Sequence, residues 1–124
     1  FWGADSGMLA ALHVLAALGE EQRPLSELMA DYQRYEASGE INFRVEDAPA
    51  CVEAVLKSFG NEIVSLDHLD GVTVDVGDGS WFNLRTSNTE PLLRLNVEAR
   101  TADDVDKIVR HVADQIAVTS GGGP

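Results

Sequence analysis

The fold is decided by one polar segment, Arg85-Thr86-Ser87-Asn88-Thr89-Glu90-Pro91, and by the apolar run that follows it at residues 92–97. Apolar and polar residues alternate along that run, and its apolar face carries Leu93, Leu95, Val97 and Ala99. This alternation is typical of a β-strand with one buried and one solvated face. Another apolar run, at residues 81–84, precedes the polar segment. We therefore predict that residues 85–91 form a loop between two strands.

The loop is rich in hydrogen-bond donors. The guanidinium group of Arg85 can hold a phosphate through two parallel hydrogen bonds, and hydroxyl and backbone N–H groups can reach the remaining oxygens. Asn88 tolerates a left-handed backbone, which would help successive N–H groups converge on one anion. Pro91 stiffens the exit from the loop. From composition alone, two interpretations stay open: an anion-binding loop, or a polar hairpin tip capped by its own side chains.

The region around the loop, residues 39–120, contains the elements of one small domain. The predicted strands cover residues 41–45, 72–76, 81–84 and 92–99, with a further short strand at residues 63–64. Two helices, capped by Asp47 and Thr101, each carry an apolar stripe. The order β-α-β-β-β-α, with one-faced strands, predicts an α+β fold in which an antiparallel four-stranded sheet has two helices on one face.

The preceding residues, 1–38, are predicted to form two helices. Residues 5–19 are predicted to form a helix that begins at Asp5 or Ser6 and ends at Gly19. Because the helix is apolar nearly all round, we expect other elements to cover it on several sides. The second helix is entered at Pro24 or capped by Ser26, and its apolar stripe comprises Leu25, Leu28, Met29, Tyr32 and Tyr35.

The boundary between the two regions is predicted at Ser38-Gly39-Glu40, because these residues break the second helix. Residues 121–124 are glycine-rich and are expected to form a flexible tail. Since the first residue is Phe1, we expect the chain to be a piece of a longer one.

Composition excludes several classes of function. The 124 residues include 21 acidic and 9 basic side chains, a formal net charge of −12, so the surface repels nucleic acids and anionic lipids. The longest uncharged apolar run, residues 8–18, is shorter than the about 20 residues that a membrane span needs. Cys51 is the only cysteine, which excludes a disulfide within the chain and fits a reducing cytoplasm. Its spacing beside Val55 predicts a buried, inert thiol.

Four other positions invite a functional interpretation and have a structural one. Ser6 resembles a nucleophile, but no base lies nearby and a helix cap explains it. The segment Asp67-His68-Leu69-Asp70 offers metal ligands, yet a lone imidazole with two loop acids is a weak site, and we expect a solvated turn. Arg94 either touches a ligand of the loop or pairs with Glu98. Trp81 and Phe82 alternate faces, so one is expected in the core and the other could brace the loop.

The segment at residues 85–91, with the strand after it, resembles the phosphate-binding loop in the last of the four domains of the α-D-phosphohexomutases. A second segment, Phe1-Trp2-Gly3-Ala4-Asp5-Ser6-Gly7-Met8, is similar to the late part of the third domain of that family. The resemblance implies that residues 1–38 are the closing helices of the third, α/β domain. Residues 39–120 would then be the last domain, with a TATA-binding-protein-like fold. It also implies that the substrate phosphate is held by Arg85, Ser87, Asn88 and Thr89.

The resemblance implies a phosphomannomutase or phosphoglucomutase, a cytoplasmic isomerase that interconverts hexose 6-phosphate and hexose 1-phosphate. The reaction would use a phosphoserine and a hexose bisphosphate intermediate, with magnesium bound by a part of the enzyme outside this chain. No catalytic or metal-binding residue is then expected here, and the chain alone would be inactive. Its role would be to bind the phosphate of mannose or glucose phosphate and to close the active site about a hinge at Ser38-Gly39-Glu40.

Three alternatives remain open. Phosphoglucosamine mutases of the same family usually carry Gly at the position of Asn88, so Asn88 favours the phosphomannomutase and phosphoglucomutase branch. A non-catalytic α+β module could instead use its sheet to bind a protein. A phosphate-dependent isomerase without a phosphoserine is the third. In each case the apolar helices of residues 1–38 are expected to leave an exposed patch through which the chain can self-associate.

Overall fold

The computed structural model describes Gly3 and residues 5–121. The chain divides into two compact units, one through Arg34 and one from Tyr35 onward. The predicted boundary, between residues 38 and 39, lies within the second unit. The reason is that residues just before it belong to the sheet: Ser38 donates its backbone N–H to the carbonyl of Val97 at 2.9 Å.

The first unit contains helix α1, Gly7–Glu20, and helix α2, Leu25–Ala30. Ser6 caps α1, because its hydroxyl accepts a hydrogen bond from the backbone N–H of Leu9 at 3.3 Å. Gly19 was predicted to end this helix but lies inside it. Part of the segment that carried the second resemblance, Phe1, Trp2 and Ala4, lies outside the described residues.

Most apolar side chains of α1 are exposed. The helix contains no buried residue, and Met8 is 79% exposed and Leu15 61% exposed. Apolar surface left in water is unfavourable, by about 25 cal/mol for each Å². This unit therefore lacks a core of its own.

Helix α2 is shorter than predicted, and the assignment of Tyr32 and Tyr35 to its apolar stripe was wrong. The helix ends at Ala30, and the chain turns there with the backbone N–H groups of Tyr32 and Gln33 both bonded to the carbonyl of Met29. The next residues are extended, because Glu36 and Ala37 pair with the last strand of the sheet. A helix could not continue through residues whose backbone is used in that pairing.

The second unit is an antiparallel sheet with two helices, which confirms the predicted α+β class. The strands are β1 (Glu36–Ala37), β2 (Ile41–Arg44), β3 (Ser65–Asp67), β4 (Val72–Gly77), β5 (Ser80–Thr86) and β6 (Leu92–Ala99). The helices are α3 (Ala48–Phe59) and α4 (Ala102–Thr119), and a 3-10 turn, Gly60–Glu62, follows α3. The strand order is β1-β6-β5-β4-β3, and β2 also pairs with β6.

The sheet of the described residues has six strands, so the predicted count of four was too low. The two additional strands are the short edge strands β1 and β3. The short strand expected at residues 63–64 instead begins at Ser65, although Val64 already donates to the carbonyl of Asp75 at 2.8 Å. Strands of two or three residues have too little alternation to be recognised from sequence.

The core lies between one face of the sheet and the two helices. Its largest fully buried side chains are Cys51, Val55, Val74, Phe82, Leu84, Leu93, Leu95, Val97 and Val112. The rings of Phe59 and Phe82 pack with their centroids 4.8 Å apart. Cys51 is buried, as predicted. The alternating residues of β5 and β6, including Trp81 and Arg94, therefore lie on the opposite, open face of the sheet.

Both helices begin at the predicted caps. The Asp47 carboxylate accepts from the backbone N–H of Ala50 at 2.9 Å, and the Thr101 hydroxyl accepts from that of Asp104 at 3.2 Å. The hydrogen bond that Lys107 donates to Asp104 lowers the pKa of this carboxyl group below its usual value, with a smaller contribution from Thr101. These contacts fix the start of α4 directly after β6.

Candidate anion-binding site

The four residues that the resemblance assigned to the phosphate lie in one pocket. The pocket has a volume of about 430 Å³ and is lined by Asp70, Gly71, Arg85, Thr86, Ser87, Asn88, Thr89 and Arg94. Every lining residue is polar or glycine. The pocket is therefore suited to a charged or strongly polar ligand rather than to an apolar one.

Strand β5 extends further than predicted, through Thr86. Arg85 and Thr86 therefore belong to the strand, and the loop itself comprises residues 87–91. The loop is closed at its base by the hydrogen bond from the backbone N–H of Ser87 to the carbonyl of Leu92, at 2.9 Å. Strand pairing thus fixes the position of the Arg85 backbone, while its guanidinium group reaches the pocket.

The backbone of Asn88 is not left-handed, so that part of the prediction was wrong. Among the described non-glycine residues, only Asp78 has a positive φ. The chain turns instead at the far side of the loop, where the backbone N–H of Leu92 donates to the carbonyl of Glu90 at 2.8 Å. The backbone N–H of Thr89 also donates to the Ser87 hydroxyl at 3.4 Å, so this donor is engaged within the loop.

Arg94, whose role was left undecided from sequence, lies directly opposite Arg85 in the β5–β6 pairing. Its partner is not Glu98: its Nη1 lies 3.6 Å from Oε2 of Glu40. Two like charges directly opposite each other on antiparallel strands destabilise a sheet. The Nε of Arg94 is also buried and lacks a hydrogen-bond partner among the described residues. An anion between the two guanidinium groups would relieve both conditions.

The turn before β4 supplies the acidic side of the pocket. Nη1 of Arg85 lies 3.1 Å from Oδ2 of Asp70. The same turn contains the segment that offered metal ligands, and there the Asp67 carboxylate accepts from the backbone N–H of Leu69 at 2.7 Å. Within residues 5–121, no group of three or more His, Cys, Asp or Glu side chains is arranged to hold a metal ion.

Sequence reasoning did not place Asp70 in the pocket and left Arg94 open, because Arg94 joins the pocket through strand register and Asp70 through the packing of the turn before β4. Arg94 follows Arg85 by nine positions in the printed sequence, and only the antiparallel pairing of β5 with β6 places the two side by side. An arginine on the polar face of the strand leaving the loop was the available signal. For Asp70 the signal was its Asp-Gly pair, which is typical of a tight turn.

The family of the second unit can be identified by comparison with known proteins. Residues 40–115 match the family model described as "Phosphoglucomutase/phosphomannomutase, C-terminal domain". The chain belongs to this family.

Proteins with similar sequences support this family assignment. The chain is 48% identical over 99 residues to "Phosphohexose mutases" of Xanthomonas campestris, which covers 78% of the chain and 22% of the relative. It is 42% identical over 113 residues to "Phosphomannomutase" of Methanocaldococcus jannaschii, which covers 91% of the chain and 24% of the relative. The chain thus spans about a fifth to a quarter of the length of these relatives.

A solved structure shows the same fold. The crystal structure of a phosphoglucomutase/phosphomannomutase family protein from Burkholderia thailandensis matches the whole chain with a TM-score of 0.68, at 19% identity and over 26% of its own length.

In the described part of the chain, no helix is both long enough and apolar enough to cross a bilayer.

Proposed function

We propose that the second unit holds the phosphate group of a hexose phosphate in an enzyme that interconverts hexose 6-phosphate and hexose 1-phosphate. The observation that carries this proposal is the convergence of Arg85, Arg94 and the donors of residues 86–89 on one polar pocket. A guanidinium fork and several hydroxyl and amide donors are the groups that bind phosphate in proteins.

The electrostatics of the chain make this local convergence informative. With a formal net charge of −12, the surface as a whole repels anions. Two of the nine basic side chains nevertheless lie opposite each other at the pocket. A phosphate would be captured by this local cluster against the overall field.

The chemical role of the pocket would be binding and orientation. In the proposed reaction, a phosphoserine gives its phosphoryl group to the sugar phosphate, and the resulting hexose bisphosphate returns its other phosphate to the serine. A site that holds a phosphate in place lowers the entropic part of the barrier for such transfers. Because either phosphate must occupy the site in turn, recognition has to depend on the phosphate group itself. Arg85, Ser87, Asn88 and Thr89, with Arg94, recognise the ligand in this way.

The described residues supply no cluster for magnesium, so we assign no step of the reaction to a metal held by this chain. The ligand is proposed to be mannose or glucose phosphate. This choice follows the relatives, which are described as phosphomannomutases and phosphohexose mutases, and the presence of Asn88. The closing of an active site about Ser38-Gly39-Glu40 remains a prediction.

The proposal can be tested by comparing the binding of phosphorylated and unphosphorylated sugars. We would follow the backbone amide NMR signals of the 124-residue chain during titration with mannose 6-phosphate, mannose 1-phosphate and unphosphorylated mannose. Two or three charge-assisted hydrogen bonds, less the cost of immobilising the ligand, predict a Kd of about 1 mM or weaker for both phosphates. Shifts are expected at the pocket for both phosphates and not for mannose. Equal shifts with mannose, or shifts confined to other surfaces, would contradict the proposal.

A further inference from the structure

An acidic side chain lies inside the proposed phosphate pocket. The Oδ2 of Asp70 is 3.1 Å from Nη1 of Arg85, and Asp70 lines the same pocket as the donors of residues 86–89. A carboxylate beside a bound phosphate repels it, since both groups are negatively charged. Its presence therefore works against the affinity of the site.

The backbone fixes Asp70 at this position. The next residue, Gly71, has a φ of +71, and a Cβ there would collide with the carbonyl oxygen of Leu84 and approach Cα of Arg85 to 3.0 Å. The side-chain amide of Asn83 also donates to the Asp70 carbonyl at 2.9 Å. These contacts hold the backbone of the turn close to β5, and none of them involves the Asp70 carboxylate. The position of the Asp70 backbone beside β5 thus does not depend on the ion pair, and the ion pair then places the carboxylate against Arg85.

The ion pair contributes little to the stability of the fold. The side chains of Arg85 and Asp70 are 41% and 73% exposed, and exposed pairs of this kind contribute little to stability because water screens the two charges. The pair does engage the guanidinium group that would hold the phosphate. One N–H of Arg85 points to Asp70, and a guanidinium group has four others for a ligand.

We propose that Asp70 is a positioning residue for Arg85 that also limits phosphate affinity. The carboxylate holds the guanidinium at the edge of the pocket and competes with the phosphate for it. This inference rests on the proposed function, in which one phosphate must leave the site before the other enters. A site with moderate affinity exchanges its ligand faster than a site with maximal affinity, because affinity is set mainly by the rate of release.

The test compares three forms of the 124-residue chain: the unchanged sequence, Asp70→Asn and Asp78→Asn. Asn at position 70 has the shape of Asp and keeps an oxygen for Arg85, but it removes the charge. Asp78→Asn removes the same charge on the β4–β5 turn, where φ is 53, a conformation that Asn tolerates. Titration with inorganic phosphate, followed by amide NMR, should show binding tightened about three- to tenfold by Asp70→Asn. Asp78→Asn should leave the Kd nearly unchanged.

A second ligand separates competition by charge from a structural effect. At about pH 8, inorganic phosphate is largely a dianion, whereas dimethyl phosphate carries one charge. Because repulsion scales with ligand charge, the gain from Asp70→Asn should be clearly smaller for dimethyl phosphate. A gain of the same proportion for both ligands would show a structural effect and overturn the inference.

The possible failures are distinguishable. If neither the unchanged chain nor Asp70→Asn binds phosphate, the proposed function is wrong and the inference falls with it. If both bind, but Asp70→Asn binds no tighter than Asp78→Asn, the inference is overturned and the proposed function stands. If Asp70→Asn alone binds measurably, both are supported.

Discussion

Two hairpins of the same sheet differ in how their tips are built. The β4–β5 turn, Gly77-Asp78-Gly79, uses three successive residues with positive φ to reverse the chain tightly. The β5–β6 loop, residues 87–91, reverses the chain with no positive φ among the described residues. None of its residues is therefore required for a left-handed backbone conformation. Because the turn does not need left-handed residues, the side chains of the β5–β6 loop can instead be those that bind a ligand.

The surroundings of the two tips differ in the same way. Beside the β5–β6 loop lie two arginines in cross-strand register and an aspartate held by a turn. Beside the β4–β5 turn, Arg100 packs close to Gly79, with Nε 3.2 Å from the position of an added Cβ. One arginine lies beside that turn, whereas two arginines in cross-strand register line the pocket beside the loop.

The largest effect is expected from Gly71→Ala, which would displace the wall of the loop pocket. The new Cβ collides with the backbone of β5 and φ is unfavourable for any L side chain, so the free energy of unfolding should fall by about 2 to 4 kcal/mol. Gly39→Ala is the matched control, because Gly39 has a φ of +65 but open space around it; it should cost only about 1 kcal/mol. Urea denaturation measures both, and equal losses would show that the close contact with β5 is unimportant.

The next effect is on binding. Arg94→Ala should weaken the binding of inorganic phosphate by about five- to tenfold, because it removes one of the two guanidinium groups opposite each other at the pocket. Arg100→Ala removes the same charge beside the other hairpin and should change the Kd by less than about twofold. NMR titration of both variants gives the comparison. Similar losses would mean that only net charge matters and that Arg94 has no contact with the ligand.

The smallest effect concerns the β4–β5 turn. Asp78→Ala should lower the free energy of unfolding by about 0.5 to 1 kcal/mol, since a positive φ is less costly for Asp than for Ala. Asp78→Gly should be neutral or slightly stabilising for the same reason. Thermal unfolding measures the stabilities, and neither change should alter phosphate binding. A changed Kd for phosphate would show that the β4–β5 turn also affects binding, which contradicts the difference drawn between the two hairpins.

Much of the second unit was predictable from local pattern. The alternation from Leu93 to Ala99 identified strand β6, and Asp47 and Thr101 marked both helix starts because a cap can be recognised from neighbouring residues in the sequence. The predicted length of α2 and the predicted number of strands were wrong for the same reason, which is strand pairing between residues far apart in the sequence. Strand β1 pairs with β6 across some sixty residues of sequence, and this pairing ended α2 early and raised the strand count.

The candidate site was predictable only in part. The donors of the loop are contiguous in sequence, so their chemistry could be recognised before their geometry was known. Arg94 and Asp70 reach the pocket through the register of β6 and through the packing of the turn at Gly71, which no local pattern specifies. The expected left-handed Asn88 failed because the loop turns at Glu90 instead.

The central claim is that Arg85 and its neighbours form a phosphate-binding pocket, and one titration tests it most directly. Mannose 6-phosphate would be added to the unchanged chain, to Arg85→Ala and to Arg110→Ala, whose residue lies on α4 and whose loss changes the net charge equally. We predict saturable amide shifts confined to the pocket in the unchanged chain and in Arg110→Ala, and a loss of binding of at least about tenfold in Arg85→Ala. Retained binding in Arg85→Ala, or an equal loss in Arg110→Ala, would contradict the claim.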